Sequence, residues 1–70
     1  MKPGTTATLD LLRRRGDAGL TALDALDAIG SFRLGARIWE LRAAGYVVNS
    51  IIERTPSGKH VARYRLRERL

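Results

Sequence analysis

The apolar positions of this chain repeat first with a helical period and then with a strand period, and glycines fall at the breaks. A first helix is expected over about 6–15, with Leu9 and Leu12 as its inward stripe; Leu11 fits neither face cleanly. Thr5 or Thr6 can cap its start, with Asp10 near the positive end of the dipole. Arg13, Arg14 and Arg15 match the negative end, with DNA contact as the alternative reading, and Gly16 supplies a left-handed C-cap. Asp17-Ala18-Gly19-Leu20 has the length of a minimal strand crossing to the next helix.

A second helix is expected over 22–29, with Thr21 and Asp24 as a near-capping box and Gly30 as its stop. Ala22, Ala25, Leu26 and Ile29 gather on one face, opposite Asp24 and Asp27. Ser31 is then a good N-cap for a third helix over 32–44, which stops at Gly45. Leu34, Ile38 and Leu41 follow the i, i+4, i+7 pattern and must face the core; Arg33, Ala36, Arg37 and Glu40 fall on the far side. Phe32 and Tyr64 read as core, and Trp39 as packed under the first helix or the hairpin. Two helices abutting through a turn of about two residues make a helix-turn-helix.

After Gly45 the period changes. Residues 46–54 (YVVNSIIER) are rich in β-branched and aromatic side chains, with a mixed parity between Val47 and Ile52 that leaves room for a bulge. Thr55-Pro56-Ser57-Gly58 is a turn with proline at its second position. Residues 60–67 then alternate, Ala62, Tyr64 and Leu66 on one face against Arg63, Arg65 and Arg67 on the other. Helix, short strand, helix, helix, hairpin is the order of an α+β winged helix-turn-helix, here as a single domain over residues 1–70.

Charge sharpens that reading. Residues 1–30 hold balanced basic and acidic side chains, so the whole excess of the +6 chain lies in residues 31–70. A basic half of this kind attracts polyanions, nucleic acid first. Arginine dominates the cations, and its planar fork suits phosphates and guanine edges. The lone His60 and the absence of cysteine leave no histidine or cysteine cluster for a metal and no disulfide. No glycine-rich phosphate loop follows a strand, and no paired carboxylates mark a cleft, so neither an enzyme nor a cofactor is expected. No apolar run reaches membrane-span length, no secretory leader follows Met1, and a complete cytoplasmic protein is the expectation.

The run from Thr21 to Tyr46 (TALDALDAIGSFRLGARIWELRAAGY), with the closing Val61-Ala62-Arg63-Tyr64-Arg65-Leu66, resembles a family of small helix-turn-helix proteins common in bacteriophages and prophages. The resemblance covers about residues 6–66 and departs from the pattern at Asp24, where glutamate is usual, and at Gly35, where alanine is. It implies DNA binding and leaves the target site open.

In a fold of this kind the third helix enters the major groove. Ser31, Arg33, Ala36 and Arg37 are then the candidates for base edges, and Thr21 and Ser31 can offer hydroxyl and backbone groups to phosphates. Lys59 and His60 at the wing tip can reach an adjacent groove or the backbone. The Arg63, Arg65, Arg67 stripe reads equally as a second phosphate track or as edge protection. The expected partner is double-stranded DNA, read by a transcriptional regulator or an excisionase-like factor. The competing readings are a phage-derived module that binds a host protein, such as a polymerase or a defence complex, and an RNA-binding winged helix. No coiled-coil seam is present, so a monomer or weak dimer is expected, with no membrane role.

Overall fold

Proline, not threonine, opens the first helix. The computed structural model describes residues 2–31 and 33–69, and only the backbone of residues 68 and 69. Helix α1 runs Pro3–Arg15, because a proline at its first position has its φ preset and gives up no needed N–H. The expected caps are therefore inside the helix: Thr6 Oγ1 donates to Lys2 O at 3.2 Å and Thr8 Oγ1 to Gly4 O at 2.8 Å. Thr5 and Thr8 are fully buried, and Asp10 falls in the body of the helix rather than at its positive end. Leu9, Leu11 and Leu12 are all buried, which places the leucine the periodicity left unassigned.

A short 3-10 turn, Gly16–Ala18, leads to the expected crossing strand, which is a single bridging residue. Leu20 N–H donates to Tyr64 O at 2.8 Å and Tyr64 N–H to Leu20 O at 2.9 Å. Helix α2, Ala22–Ile29, has the predicted bounds, fixed by a complete Thr21–Asp24 capping box and by Gly30 in a left-handed conformation. Its inward face is narrower than expected: Ala25 is buried and Ile29 packs on the core, but Ala22 and Leu26 are exposed, as is Leu23.

Helix α3, Leu34–Ala43, starts later than Ser31 implied. Ser31 Oγ accepts only from Arg33 N–H, at 3.4 Å, and the first helical bond is Arg37 N–H to Arg33 O at 3.2 Å. The link between α2 and α3 is thus residues 30–33; Phe32, expected in the core, lies outside the described residues. Leu34, Ile38 and Leu41 are buried as their spacing requires. Trp39 is not packed under α1 or the hairpin; it is 70% exposed, because it projects about 100° around the helix from Ile38.

Strands β1 (Tyr46–Arg54) and β2 (His60–Arg69) pair antiparallel, with a bulge between Val47 and Val48. The bulge sets the register Val48↔Leu66, Ser50↔Tyr64, Ile52↔Ala62, and so turns Val48 into the core. At the tip, Gly58 N–H returns to Thr55 O at 2.9 Å around Pro56, and Thr55 N–H donates to Lys59 O at 2.7 Å. Leu12, Leu20, Ile38 and Leu41 fill the centre, with Tyr46, Tyr64 and Leu66 packed around them. Three helices followed by this hairpin form an α+β winged helix-turn-helix.

Candidate nucleic-acid interface

The basic side chains divide by what they touch. Arg15 Nε donates to Gly19 O, and its Nη2 lies 3.2 Å from Asp24 Oδ2. Arg63 grips both Glu53 oxygens through Nε, at 2.9 and 3.0 Å, and donates from Nη1 to Ala18 O at 2.7 Å. Arg42 holds Val48 O with two donors, at 3.1 and 2.7 Å. Arg37 Nη1 reaches Glu40 Oε1 at 2.6 Å and Thr5 Oγ1 at 3.3 Å. Arg13 lies over the Tyr46 ring, 5.9 Å from its centroid. These arginines tie one element to another.

Asp24 is the hub of this tethering, 3.2 Å from Arg15 Nη2 and 3.9 Å from Arg63 Nη1. Partial burial pushes its carboxyl upward. Hydrogen bonding from Thr21's backbone and side chain, with the charges of Arg15 and Arg63, outweighs that and holds it below the usual carboxylate range.

Arg14, Arg33, Arg54, Lys59 and Arg67 are exposed and make no ion pair with any described residue. Arg33 stands at the start of α3 and Arg54 and Lys59 at the tip of the hairpin, while Arg14 lies in the last turn of α1 and Arg67 in β2.

The residues singled out from sequence fall into separate places. Ser31, Arg33 and Arg37 line a depression between α1 and the α2–α3 link, and Arg33, Ala36 and Arg37 share an adjoining one with Trp39. Thr21 and His60 meet in a trough between the starts of α2, α3 and β2, with Gly35 and Leu23 on its walls. Lys59 is exposed at the tip. Thr21 is buried, and its hydroxyl and N–H are both engaged with Asp24. Arg37 is half-turned into the fold by Thr5 and Glu40.

By contrast, α3 begins without a side-chain cap, leaving Arg33 and the helix's first N–H groups as its outward offer. Sequence reasoning did not single out Arg54 or the exposed Trp39 as candidate contacts. Position 39 lies off the Leu34–Ile38–Leu41 stripe, which was the signal available. Among the described residues no cluster of His, Cys, Asp or Glu is placed to hold a metal ion, and no helix is long and apolar enough to cross a membrane.

A family model for the winged helix-turn-helix domain matches residues 6–69. No curated protein and no solved structure matches the chain.

Proposed function

The chain belongs to the winged helix-turn-helix domain family, and from that premise we propose that it binds duplex DNA with α3 in the major groove and the hairpin tip on an adjacent groove or phosphate backbone. The observation that carries this reading is the division of the cations: Arg33, Arg54 and Lys59 stay exposed at the start of α3 and the wing tip, with no ion pair to a described residue, while Arg15, Arg37, Arg42 and Arg63 are consumed inside the fold. Unpaired cations release counterions when they meet phosphates, whereas Arg37 would first have to leave Glu40. His60 and Ser31 flank these positions and add hydrogen-bonding groups, and Ala36 leaves room for close approach. The function is that of a regulator or excisionase-like factor of phage or prophage type, working in the cytoplasm.

Titrating a mixed-sequence duplex into the protein at several salt concentrations tests this. A steep loss of affinity with salt is expected; no binding at low salt removes the reading. One observation favours the alternative of a protein-binding module: Leu23 and Leu26 are exposed and share an apolar groove with Val61. Target binding with a shallow salt dependence, lost on Leu23→Ser but not on Arg33→Ala, would move the function to that face.

A further inference from the structure

On the reading that α3 enters the major groove, the face it presents there is unusual in chemistry. Away from the buried Leu34–Ile38–Leu41 stripe lie Gly35, Ala36, Trp39, Glu40 and Ala43. Glu40 is taken up by Arg37, and none of the others carries a hydrogen-bonding side chain except the indole N–H of Trp39. Arg37, the arginine within α3 nearest its start, is bound to Glu40 and Thr5, and Arg42 to Val48 O. The middle of the helix therefore offers bases shape and apolar surface rather than forked donors.

The charge around that surface suits a polyanion. Lys2, Arg33, Ala36, Arg37, Trp39 and Glu40 line one depression, so the exposed indole sits among cations from α1's leading end and α3's start. Gly35 has open space where a Cβ would stand, so the fold itself does not require glycine there; the small side chains at 35, 36 and 43 let the helix backbone lie close to whatever it meets.

In the major groove the apolar feature of a base edge is the thymine 5-methyl group, and the O4 acceptor stands beside it. An indole supplies an apolar face and one donor, which matches that pair. We propose that Trp39, with Ala36, is the specificity-determining contact of this protein and reads thymine methyl groups, so that its target carries thymine under the middle of α3. Arg33, Arg54 and Lys59 supply affinity, and Trp39 supplies the choice of sequence.

The experiment selects bound sites from a randomised duplex pool, then compares a selected duplex with its deoxyuridine counterpart, which lacks only the methyls. For the unmodified protein, affinity should fall about fourfold for each methyl covered. In Trp39→Ala that difference should shrink toward none while the salt slope stays unchanged. Because Trp39 is exposed, Trp39→Ala should keep its melting temperature. Trp39 is the sole tryptophan, so its emission should also shift on saturation with duplex. Selected sites without thymine, equal affinity for the two duplexes, or emission unmoved by saturating DNA would each overturn the proposal while leaving salt-dependent DNA binding standing. Unmoved emission would free this face for a protein partner. Failure to bind any duplex at low salt would instead remove the DNA reading beneath it.

Discussion

Arg37 Nη1 sits 2.6 Å from Glu40 Oε1 and, at 3.3 Å, takes in the buried hydroxyl of Thr5 from α1. The side chain is 19% exposed, so the contact clamps α3 to α1 more than it serves a ligand. Arg37→Ala should lower stability by about 1 kcal/mol and leave the salt slope of DNA binding unchanged. Arg33→Ala, at an exposed and unpaired position, should leave the melt unchanged and lower the slope by about 0.9. Thermal melts and salt-dependent titrations of the two variants check this; a reversed pattern would return Arg37 to the groove.

The Asp24 hub makes stability depend on pH. Its folded pKa lies below its unfolded value, so its contribution is fully present above the unfolded pKa and is lost as pH falls through the folded one. Melting temperature should therefore drop as pH falls through and below the ordinary carboxylate range, and more steeply than in Asp24→Asn, which keeps the helix cap but not the charge. Asp24→Ala leaves the Thr21 hydroxyl cap in place but removes the carboxylate that accepts from Thr21 N–H, and should cost about 1 kcal/mol at neutral pH, leaving Arg15 without its partner. Melts across that range compare the three proteins.

Two glycines should respond to alanine in opposite directions. Gly19 has φ +70°, and an added Cβ would stand 2.7 Å from Tyr64 O and 2.9 Å from Arg63 Cγ. Gly19→Ala must push β2 away from Leu20 and should cost about 2 kcal/mol or more. Gly35 is in a helix with ordinary φ and open space beyond it, so Gly35→Ala should stabilise the fold by about 0.5–1 kcal/mol. Denaturant unfolding measures both, and a stable Gly35→Ala that binds DNA less tightly would show that the groove needs the bare backbone.

What the sequence made legible follows where its signals are local. Helix α2 was readable at both ends because Thr21, Asp24 and Gly30 act within a few residues of themselves. The order of elements, the stripe on α3 and the room for a bulge were equally local. Helix α1 was started too late because Thr5 and Thr6 look like caps until Pro3 is recognised as a first-turn residue. Trp39 was misjudged, and the hold of Thr5 and Glu40 on Arg37 was not foreseen, for a different reason. Whether they turn inward depends on Thr5, far away in the chain, and on a core that Leu12, Leu20, Ile38 and Leu41 fill without the indole.

The hairpin tip separates charge from shape. Thr55 N–H holds Lys59 O at 2.7 Å, Lys59 N–H returns to Thr55 Oγ1 at 3.1 Å, and Gly58 adopts φ +86° between them. These bonds close a short turn, so Lys59 is carried on a fixed backbone while its side chain stays exposed. If the tip lies against phosphate, Lys59→Ala should reduce the salt slope by about 0.9 with no change in the melt. Thr55→Val keeps the charge and removes the hydroxyl that accepts from Lys59, so its affinity should fall without a change in slope, because the loosened tip must be ordered on binding. Equal slopes for Lys59→Ala and the unmodified protein would place the wing off the DNA and leave α3 to bind alone.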